Sequence, residues 1–228
     1  MWRLFLILGL VGCGATTTPY LGQPFLGTAY QDSPLGEAAL PDDDPLIRFD
    51  AFDCTTFVET VLADGDLDTL NQIRYQDGKV GFLTRNHFIE TDWLTNNADI
   101  VQNVSAQYAP TETRTVLIDK SNWFKVMHGI DVDVPITRAD IEYIPYRHAK
   151  GITVSRPMIV LFITDNAKIR DKIGTDLAVV HMGFVLPNGM LRHASSSQGM
   201  VVDVNMDEYI TKRMKMAGNL GIALVEIK

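Results

Sequence analysis

The chain has 228 residues, with 20 basic and 28 acidic side chains and a formal net charge of −8, which argues against binding of nucleic acid through a basic surface. Apolar residues make up 46% of the chain and charged residues 21%, so the composition is that of a globular protein and excludes intrinsic disorder. The length suits one domain with a sizeable core, and its two cysteines, Cys13 and Cys54, are too few for a disulfide-stapled scaffold.

The chain begins with a pattern typical of a secretory signal peptide. Arg3 supplies positive charge, and the apolar run over residues 4–11 is far shorter than the roughly 20 residues that a membrane-spanning helix needs. The run ends in Leu-Val-Gly-Cys at residues 10–13, which resembles the lipobox of bacterial lipoproteins, where the cysteine becomes the lipidated first residue. The alternatives are a plain signal peptide with an incidental cysteine and a buried N-terminal strand. We expect a signal peptide over 1–12 and a lipid anchor at Cys13.

The anchor also predicts a location. Gly14 follows Cys13 at the position where lipoproteins kept in the inner membrane often carry Asp, which favours the outer membrane of a Gram-negative cell. Several acyl chains make a stable anchor, whereas one chain binds a membrane only marginally. We therefore expect a periplasmic protein that is attached to the outer membrane through Cys13.

Residues 13–45 are rich in turn signals. Prolines recur through this segment, at Pro19, Pro24, Pro34, Pro41 and Pro45. The pattern predicts a lipidated tether followed by an arm that lies on the folded part of the chain. The folded domain is expected to span 46–228.

The first part of this domain predicts helices. Between residues 57 and 62 the apolar side chains fall on one helical face, and Asp53 is suited to cap the N-terminus of that helix. Shorter helical patterns occupy 67–73, 121–127 and 138–144.

The second part predicts strands. Apolar runs of the β type occupy 158–164, 179–186, 190–194, 200–204 and 222–227, with a Pro-Asn-Gly turn at 187–189. Helices followed by a series of strands indicate an α+β fold with a mostly antiparallel sheet.

Cys54 lies at the start of the first predicted helix. Unpaired backbone N–H groups and the helix dipole favour negative charge there, and such positions lower the pKa of a thiol. The alternative is a small buried hydrophobic residue, which is what a single cysteine usually is. The position at a helix cap favours a reactive thiol.

Two histidines of the strand region are candidate bases for that thiol, since a nucleophile needs a base held by a third group. A three-residue loop over 187–189 would place His193 on the same face as His181, diagonal to it, at about 7–8 Å between Cβ atoms. A two-residue loop would turn His193 to the opposite face. For either histidine alone, a structural role in a half-buried strand is the alternative.

Seven segments of the chain match one family pattern. They are residues 52–59 (FDCTTFVE), 73–75 (IRY), 85–88 (RNHF), 92–94 (DWL), 144–145 (IP), 181–184 (HMGF) and 193–196 (HASS). With these motifs the chain resembles the NlpC/P60 superfamily of papain-like cell-wall hydrolases, and within it the DUF1460 branch of N-acetylmuramoyl-L-alanine amidase-like proteins. The resemblance covers the chain from about Leu46 onward. It implies a papain-like fold, in which N-terminal helices that carry the cysteine pack on the sheet that carries the histidines.

The resemblance implies a role for each matched position. Cys54 would be the nucleophile, His181 the general base and His193 the orienting third residue. The N–H of Cys54 would form part of an oxyanion hole, where loss of one donor typically costs about 2.7–4 kcal/mol of barrier. Relatives often carry Gly-Asp where this chain has Arg156-Pro157, a change at the start of a strand rather than in the catalytic centre.

The segment Arg85-Asn86-His87 is a candidate substrate-binding element. Arginine suits two-point binding of a carboxylate, and the stem peptides of peptidoglycan are rich in carboxylates. The alternative is a solvated loop with a salt-bridged arginine. Together with Asp53, which precedes the nucleophile, these three residues are the expected substrate contacts.

The remaining motifs indicate no cofactor. His128 and His148 match no motif and are expected at the surface or in loops, and Trp93 is expected to pack in the core. No Cys, His or acidic spacing resembles a zinc site, and no phosphate-binding glycine loop occurs.

The expected function is that of a lipid-anchored periplasmic cysteine amidase acting on peptidoglycan fragments (muropeptides). The resemblance implies cleavage of the amide that joins N-acetylmuramic acid to L-alanine, and it suggests a preference for intact stem peptides. The alternatives are a stem-peptide endopeptidase, a non-catalytic peptidoglycan-binding lipoprotein and a thiol acyltransferase. The complete set of Cys54, His181 and His193 argues against a mere binder. The oligomeric state is left open.

Overall fold

A ten-stranded sheet organises the fold. The computed structural model describes residues 21–228, and the predicted signal peptide and the predicted lipidation site Cys13 lie outside the described residues. The strands are β1 (Ala29–Tyr30), β2 (Ala51–Phe52), β3 (Val101–Asn103), β4 (Glu112–Ile118), β5 (Thr137–Pro145), β6 (Met158–Thr164), β7 (Val179–Val185), β8 (Met190–Ser195), β9 (Met200–Asn205) and β10 (Asn219–Ile227).

The strand order is β2-β1-β9-β8-β7-β6-β10-β5-β4, and β3 pairs with β10. Strands β1 and β2 pair in parallel, and the other pairings of the described residues are antiparallel. The predicted α+β class with a mostly antiparallel sheet is therefore confirmed.

Short helices flank the sheet. They are α1 (Cys54–Leu62), α2 (Leu67–Arg74), α3 (Leu94–Asn96), α4 (Lys120–His128), α5 (Tyr146–Ala149), α6 (Ala167–Ile173) and α7 (Met206–Arg213), with a π-helix at Ile89–Trp93 and 3₁₀ turns at Gln23–Phe25, Gln76–Gly78 and Ser105–Gln107. None of the helices within 21–228 combines the length and the hydropathy that a membrane crossing requires.

Strand β6 lies between two hydrophobic cores. All seven of its residues are buried, which explains its continuous apolar sequence. Ile159 and Leu161 face one core, which they share with Phe57 of α1. Val160 and Phe162 face the opposite core, because successive side chains of a strand point to opposite faces. Burial of each such side chain contributes about 1.5–3 kcal/mol.

The helical prediction for 138–144 is wrong, since this segment lies within β5. Ala139, Ile141 and Tyr143 are the more buried side chains, and the residues between them are exposed. This alternation has the period of a strand, and the segment pairs with β4 along its length. The helix predicted at 121–127 is confirmed as α4.

The arm before residue 46 is bound tightly to the rest of the fold. Leu35 is fully buried. Its carbonyl accepts a hydrogen bond of 2.7 Å from Nη2 of Arg74, and the carbonyl of Gly36 accepts one of 2.9 Å from the Tyr75 hydroxyl. Strand β1 extends the sheet edge by pairing with β9. The arm thus brings its own residues to the sheet edge next to α1.

Candidate active site

Cys54 is the first residue of α1, and Asp53 caps that helix. Oδ1 of Asp53 accepts hydrogen bonds of 2.7 Å from the Thr56 N–H and 2.8 Å from the Thr56 hydroxyl, and the Thr56 hydroxyl in turn accepts from the Asp53 N–H. This reciprocal pair is a capping box, which fixes where the helix begins. The half-buried Cys54 is thereby held in the first helical turn.

The thiol of Cys54 is protonated at neutral pH. Burial and then the Asp53 carboxylate raise its pKa to about 12, while the Met182 N–H, the Thr55 hydroxyl and its own N–H act in the opposite direction. The N–H group at the helix end lowers this pKa, as expected, but desolvation outweighs it, so the net shift is upward. The thiol therefore needs a base that removes its proton when it reacts.

The hairpin of β7 and β8 has the longer of the two loops considered from the sequence. Phe184 pairs with Arg192 and Val185 with Leu191, so residues 187–189 form the loop. Gly189, at φ +77°, donates its N–H to the Leu186 carbonyl at 2.9 Å. This register places His181 and His193 on the same face.

The two histidines are in direct contact. Nε2 of His181 and Nδ1 of His193 lie 2.7 Å apart. This hydrogen bond uses one nitrogen of His181 and leaves Nδ1 to meet another partner. For Nδ1 to accept a proton, Nε2 must carry the N–H and donate it to His193. The second nitrogen of His193, Nε2, is buried and has no hydrogen-bond partner within 21–228.

Both imidazoles are neutral at physiological pH. Burial lowers the pKa of His181 to about 3, and the neighbouring His193 and Arg213 lower it further. Burial also lowers the pKa of His193 to about 4, against an opposing contribution from Asp203. Neutral imidazole is the form that can accept a thiol proton.

Two tyrosines near these groups were not found from the sequence. Tyr209 of α7 packs edge-on against His193, with ring centroids 5.1 Å apart. Tyr30 of β1 lies in the electrostatic field of Cys54, and burial together with the nearby Cys54, Asp32 and Asp53 raises its pKa to about 12. Both come from segments with no motif, so only the tertiary fold brings them to the thiol and the imidazoles.

Cys54 and His181 line one cavity of about 380 Å³. Its polar wall includes Asn86 and His87, and its apolar wall is formed by residues that include Ile89, Ile169, Leu177 and Val179. A larger groove of about 1080 Å³ contains Phe25 and Phe49 but none of these polar groups, so we assign the chemistry to the smaller cavity.

His87 presents a neutral ring to this cavity. Its Nε2 lies 2.7 Å from the Phe82 carbonyl oxygen, which can only accept, so Nε2 carries the proton. Burial lowers the pKa of His87 to about 3. His87 therefore offers Nδ1 as an acceptor and carries no positive charge for a substrate carboxylate.

Arg85 does not have the free guanidinium that we expected for a substrate carboxylate. Its Nε and Nη2 donate to the two carboxylate oxygens of Glu37 at 2.7 and 2.6 Å, and Nη2 also donates to Asp42 at 2.7 Å. The side chain of Arg85 is only 11% exposed and that of Glu37 only 4%. These ion pairs fasten the arm and occupy nitrogens that we expected to bind a substrate carboxylate, as in the alternative of a salt-bridged arginine.

Asp53 and Asn86 have structural partners as well. The second carboxylate oxygen of Asp53 accepts the Ser33 N–H at 3.2 Å, so both of its oxygens are engaged. Asp53 therefore caps the helix as expected, and its substrate contact stays a prediction. Asn86 donates from Nδ2 to the Ile73 carbonyl at 3.0 Å and still lines the cavity.

The other residues considered from the sequence lie apart from the cavity. His128 and His148 are exposed, as expected, and Trp93 is fully buried. Within 21–228, no three His, Cys, Asp or Glu side chains are grouped so that they could hold a metal ion.

Comparison with known proteins identifies the class. The model of the AmiA-like family, described as N-acetylmuramoyl-L-alanine amidase-like, matches residues 20–218. The chain belongs to this family of amidase-like proteins. No curated protein matches it in sequence.

Solved structures share the fold of this chain. A Legionella pneumophila protein of the DUF1460 family superposes with a TM-score of 0.84 at 25% identity, over 91% of this chain and 87% of the other. An N-acetylmuramoyl-L-alanine amidase from Bacteroides uniformis superposes with a TM-score of 0.73 at 23% identity, over 92% of this chain and 96% of the other. NlpC1 from Trichomonas vaginalis reaches a TM-score of only 0.27, so the wider NlpC/P60 assignment does not follow from that comparison.

Proposed function

We propose that this protein is a cysteine amidase that cleaves the amide between N-acetylmuramic acid and L-alanine in peptidoglycan fragments. The observation that carries the proposal is a single cavity lined by a thiol at a helix start and by an imidazole whose Nε2 is held by a second imidazole. Membership of the amidase-like family supports the substrate class. We also propose that the packing of the Cys54 helix on the strands that carry His181 is a papain-like arrangement.

In the proposed reaction, Nδ1 of His181 removes the proton from Cys54 as sulfur attacks the amide carbonyl. The carbonyl oxygen becomes an oxyanion near the N–H of Cys54, where one well-placed donor is worth about 2.7–4 kcal/mol. The intermediate then collapses, the C–N bond breaks, and protonated His181 gives its proton to the departing amine of L-alanine. Water, deprotonated by His181, hydrolyses the thioester that remains.

His193 orients His181 throughout this cycle. Its contact at 2.7 Å fixes which nitrogen of His181 faces the thiol, and it supports the imidazolium that forms transiently. Asn86 and His87 contact the substrate through hydrogen bonds in this proposal, since both line the cavity.

Mass spectrometry of defined muropeptides tests the proposed bond. The protein without residues 1–13 should release the intact stem peptide from N-acetylmuramic acid. A product cut within the stem peptide would contradict the amidase assignment and support an endopeptidase. No product from any muropeptide, with a folded protein, would contradict both.

We also propose that the protein is a lipoprotein anchored to the outer membrane through Cys13. The motif at residues 10–13 and the apolar run before it support this proposal. A fatty-acid probe should label the wild type in a Gram-negative host, and Cys13→Ser should release unlabelled soluble protein. Absence of label on the wild type would overturn the anchor.

A further inference from the structure

An irregularity in β7 lies immediately before His181. His181 pairs with Phe162 of β6, whereas the next pair joins Val179 to Ile163, so Val180 is an extra residue in β7. Such a β-bulge bends its strand locally and changes the direction of the neighbouring side chains. The direction of the His181 imidazole therefore depends on how the beginning of β7 is held.

The beginning of β7 is held by Glu90, a residue of the π-helix Ile89–Trp93. Oε1 of Glu90 accepts the N–H of Ala178 at 2.5 Å. On the other side of the same residue, the Ala178 carbonyl accepts the Thr164 N–H at 2.8 Å. Ala178 is thus fixed between Glu90 and β6, directly before the bulge.

Glu90 is an unusual residue to bury at this position. It is 6% exposed, and its Oε2 is buried without a hydrogen-bond partner among the described residues. Burial raises its pKa to about 7, the N–H groups of Ala178 and Val179 lower it, and Asp92 raises it. Asp92 is itself paired with Lys120 at 2.6 Å. An apolar side chain would avoid this desolvation, so the buried carboxyl needs an explanation.

The surroundings of Glu90 connect it to the cavity. Its neighbour Ile89 lines the cavity, and so do Val179 and Val180, which follow the residue that Glu90 holds. A π-helix is a rare element that often occurs at functional sites. Glu90 is therefore connected to His181 through the short stretch of backbone between Ala178 and His181.

We propose that Glu90 is a positioning residue, whose carboxyl group fixes the start of β7 and so sets the bulge that aims His181 at Cys54. It acts through His181 and does not touch the substrate. The proposal rests on the proposed cysteine chemistry, and its test includes a readout that needs no substrate.

The experiment compares three variants of the full chain. Glu90→Leu removes the acceptor of the Ala178 N–H, Glu90→Gln retains an acceptor oxygen, and Asp92→Asn removes a charge from the same π-helix without touching β7. The rate of Cys54 alkylation by iodoacetamide is followed by peptide mass spectrometry, which separates Cys54 from Cys13. Hydrolysis of muropeptides gives kcat and KM.

We expect Glu90→Leu to lower kcat about 10- to 100-fold with KM within threefold, because a displacement of about 1 Å can cost that much. Its Cys54 alkylation at pH 7 should slow several-fold, since a misdirected His181 no longer takes the thiol proton. Glu90→Gln should recover most of both losses, and Asp92→Asn should stay near the wild type.

Equal effects of Glu90→Leu and Asp92→Asn, or failure of Glu90→Gln to recover either readout, would overturn the proposal. If Glu90→Leu does not fold, Glu90→Asp, whose carboxylate falls short of Ala178, takes its place with the same expected losses. If the wild type hydrolyses no muropeptide while alkylation still depends on Glu90, the proposed function fails and the positioning role stands.

Discussion

Strand β7 of the β7–β8 hairpin and Asn86 and His87 of segment 85–87 line the same cavity, and the two regions differ in what places their side chains. In the hairpin, loop length and strand alternation place His181 and His193 on one face, 2.7 Å apart. In segment 85–87, Arg85 forms an ion pair with Glu37, which lies 48 residues earlier in the chain. Local geometry decides the first region, whereas the second depends on a partner that no local pattern identifies.

The largest expected effect is that of Cys54→Ala. Removal of the attacking sulfur should lower the rate of muropeptide hydrolysis by at least about 10⁴-fold, as removal of a catalytic nucleophile does in other hydrolases. The far-ultraviolet circular dichroism should match that of the wild type, since Cys54 is only half-buried. Comparable turnover by the folded variant would show that Cys54 is not the nucleophile.

His193→Ala tests the hairpin side. Loss of the partner that holds Nε2 of His181 should lower kcat about 10²- to 10⁴-fold with little change in KM. Ser195→Ala, at a buried position on the same face of β8, is the matched control and should remain near the wild type. A similar loss in both variants would point to damage of the strand rather than to the contact between the imidazoles.

Arg85→Ala tests segment 85–87. It leaves the buried Glu37 carboxylate without its cation, which typically destabilises a protein by about 3–5 kcal/mol. For a chain of this size that lowers Tm by roughly 10 °C. Addition of Glu37→Gln should restore part of the loss, and the kinetics below Tm should be unchanged.

The exposed pair of Lys79 and Asp77, at 3.4 Å, provides the control for Arg85. Lys79→Ala should change stability by less than about 1 kcal/mol, because exposed ion pairs contribute little. If Arg85→Ala instead raised KM for long stem peptides and left Tm unchanged, the arginine would be a substrate contact and the difference between the two regions would disappear.

The smallest expected effect is that of pH on kcat/KM. The pKa of His181 is lowered to about 3 and that of Cys54 is raised to about 12, so His181 becomes protonated only as pH falls towards 3. In Glu90→Gln, which removes the carboxyl whose pKa is raised to about 7, kcat/KM should vary less than about threefold between pH 5 and 9. A steep fall on the acid side within this range would indicate a preformed thiolate–imidazolium pair.

Much of the site could be predicted from local pattern. The apolar face over 57–62 and the capping Asp53 place Cys54 at a helix start, and the strand periodicity around His181 predicts β7. The segment 138–144 shows the limit of this approach, because seven residues span only about two helical turns and are too few to separate a helical from a strand period. Pairing along the whole of β4 is what makes it a strand.

The sequence by itself determined the α+β class, the helix that begins at Cys54 and the two alternatives for His181 and His193, because these follow from periodicity, capping and loop length over neighbouring residues. Only the tertiary structure decided the protonation of Cys54, the ion pairs of Arg85 and the contact of Glu90 with Ala178. Those properties depend on burial and on partners far away in the chain. Desolvation and distant charges act through space, so no local pattern contains them.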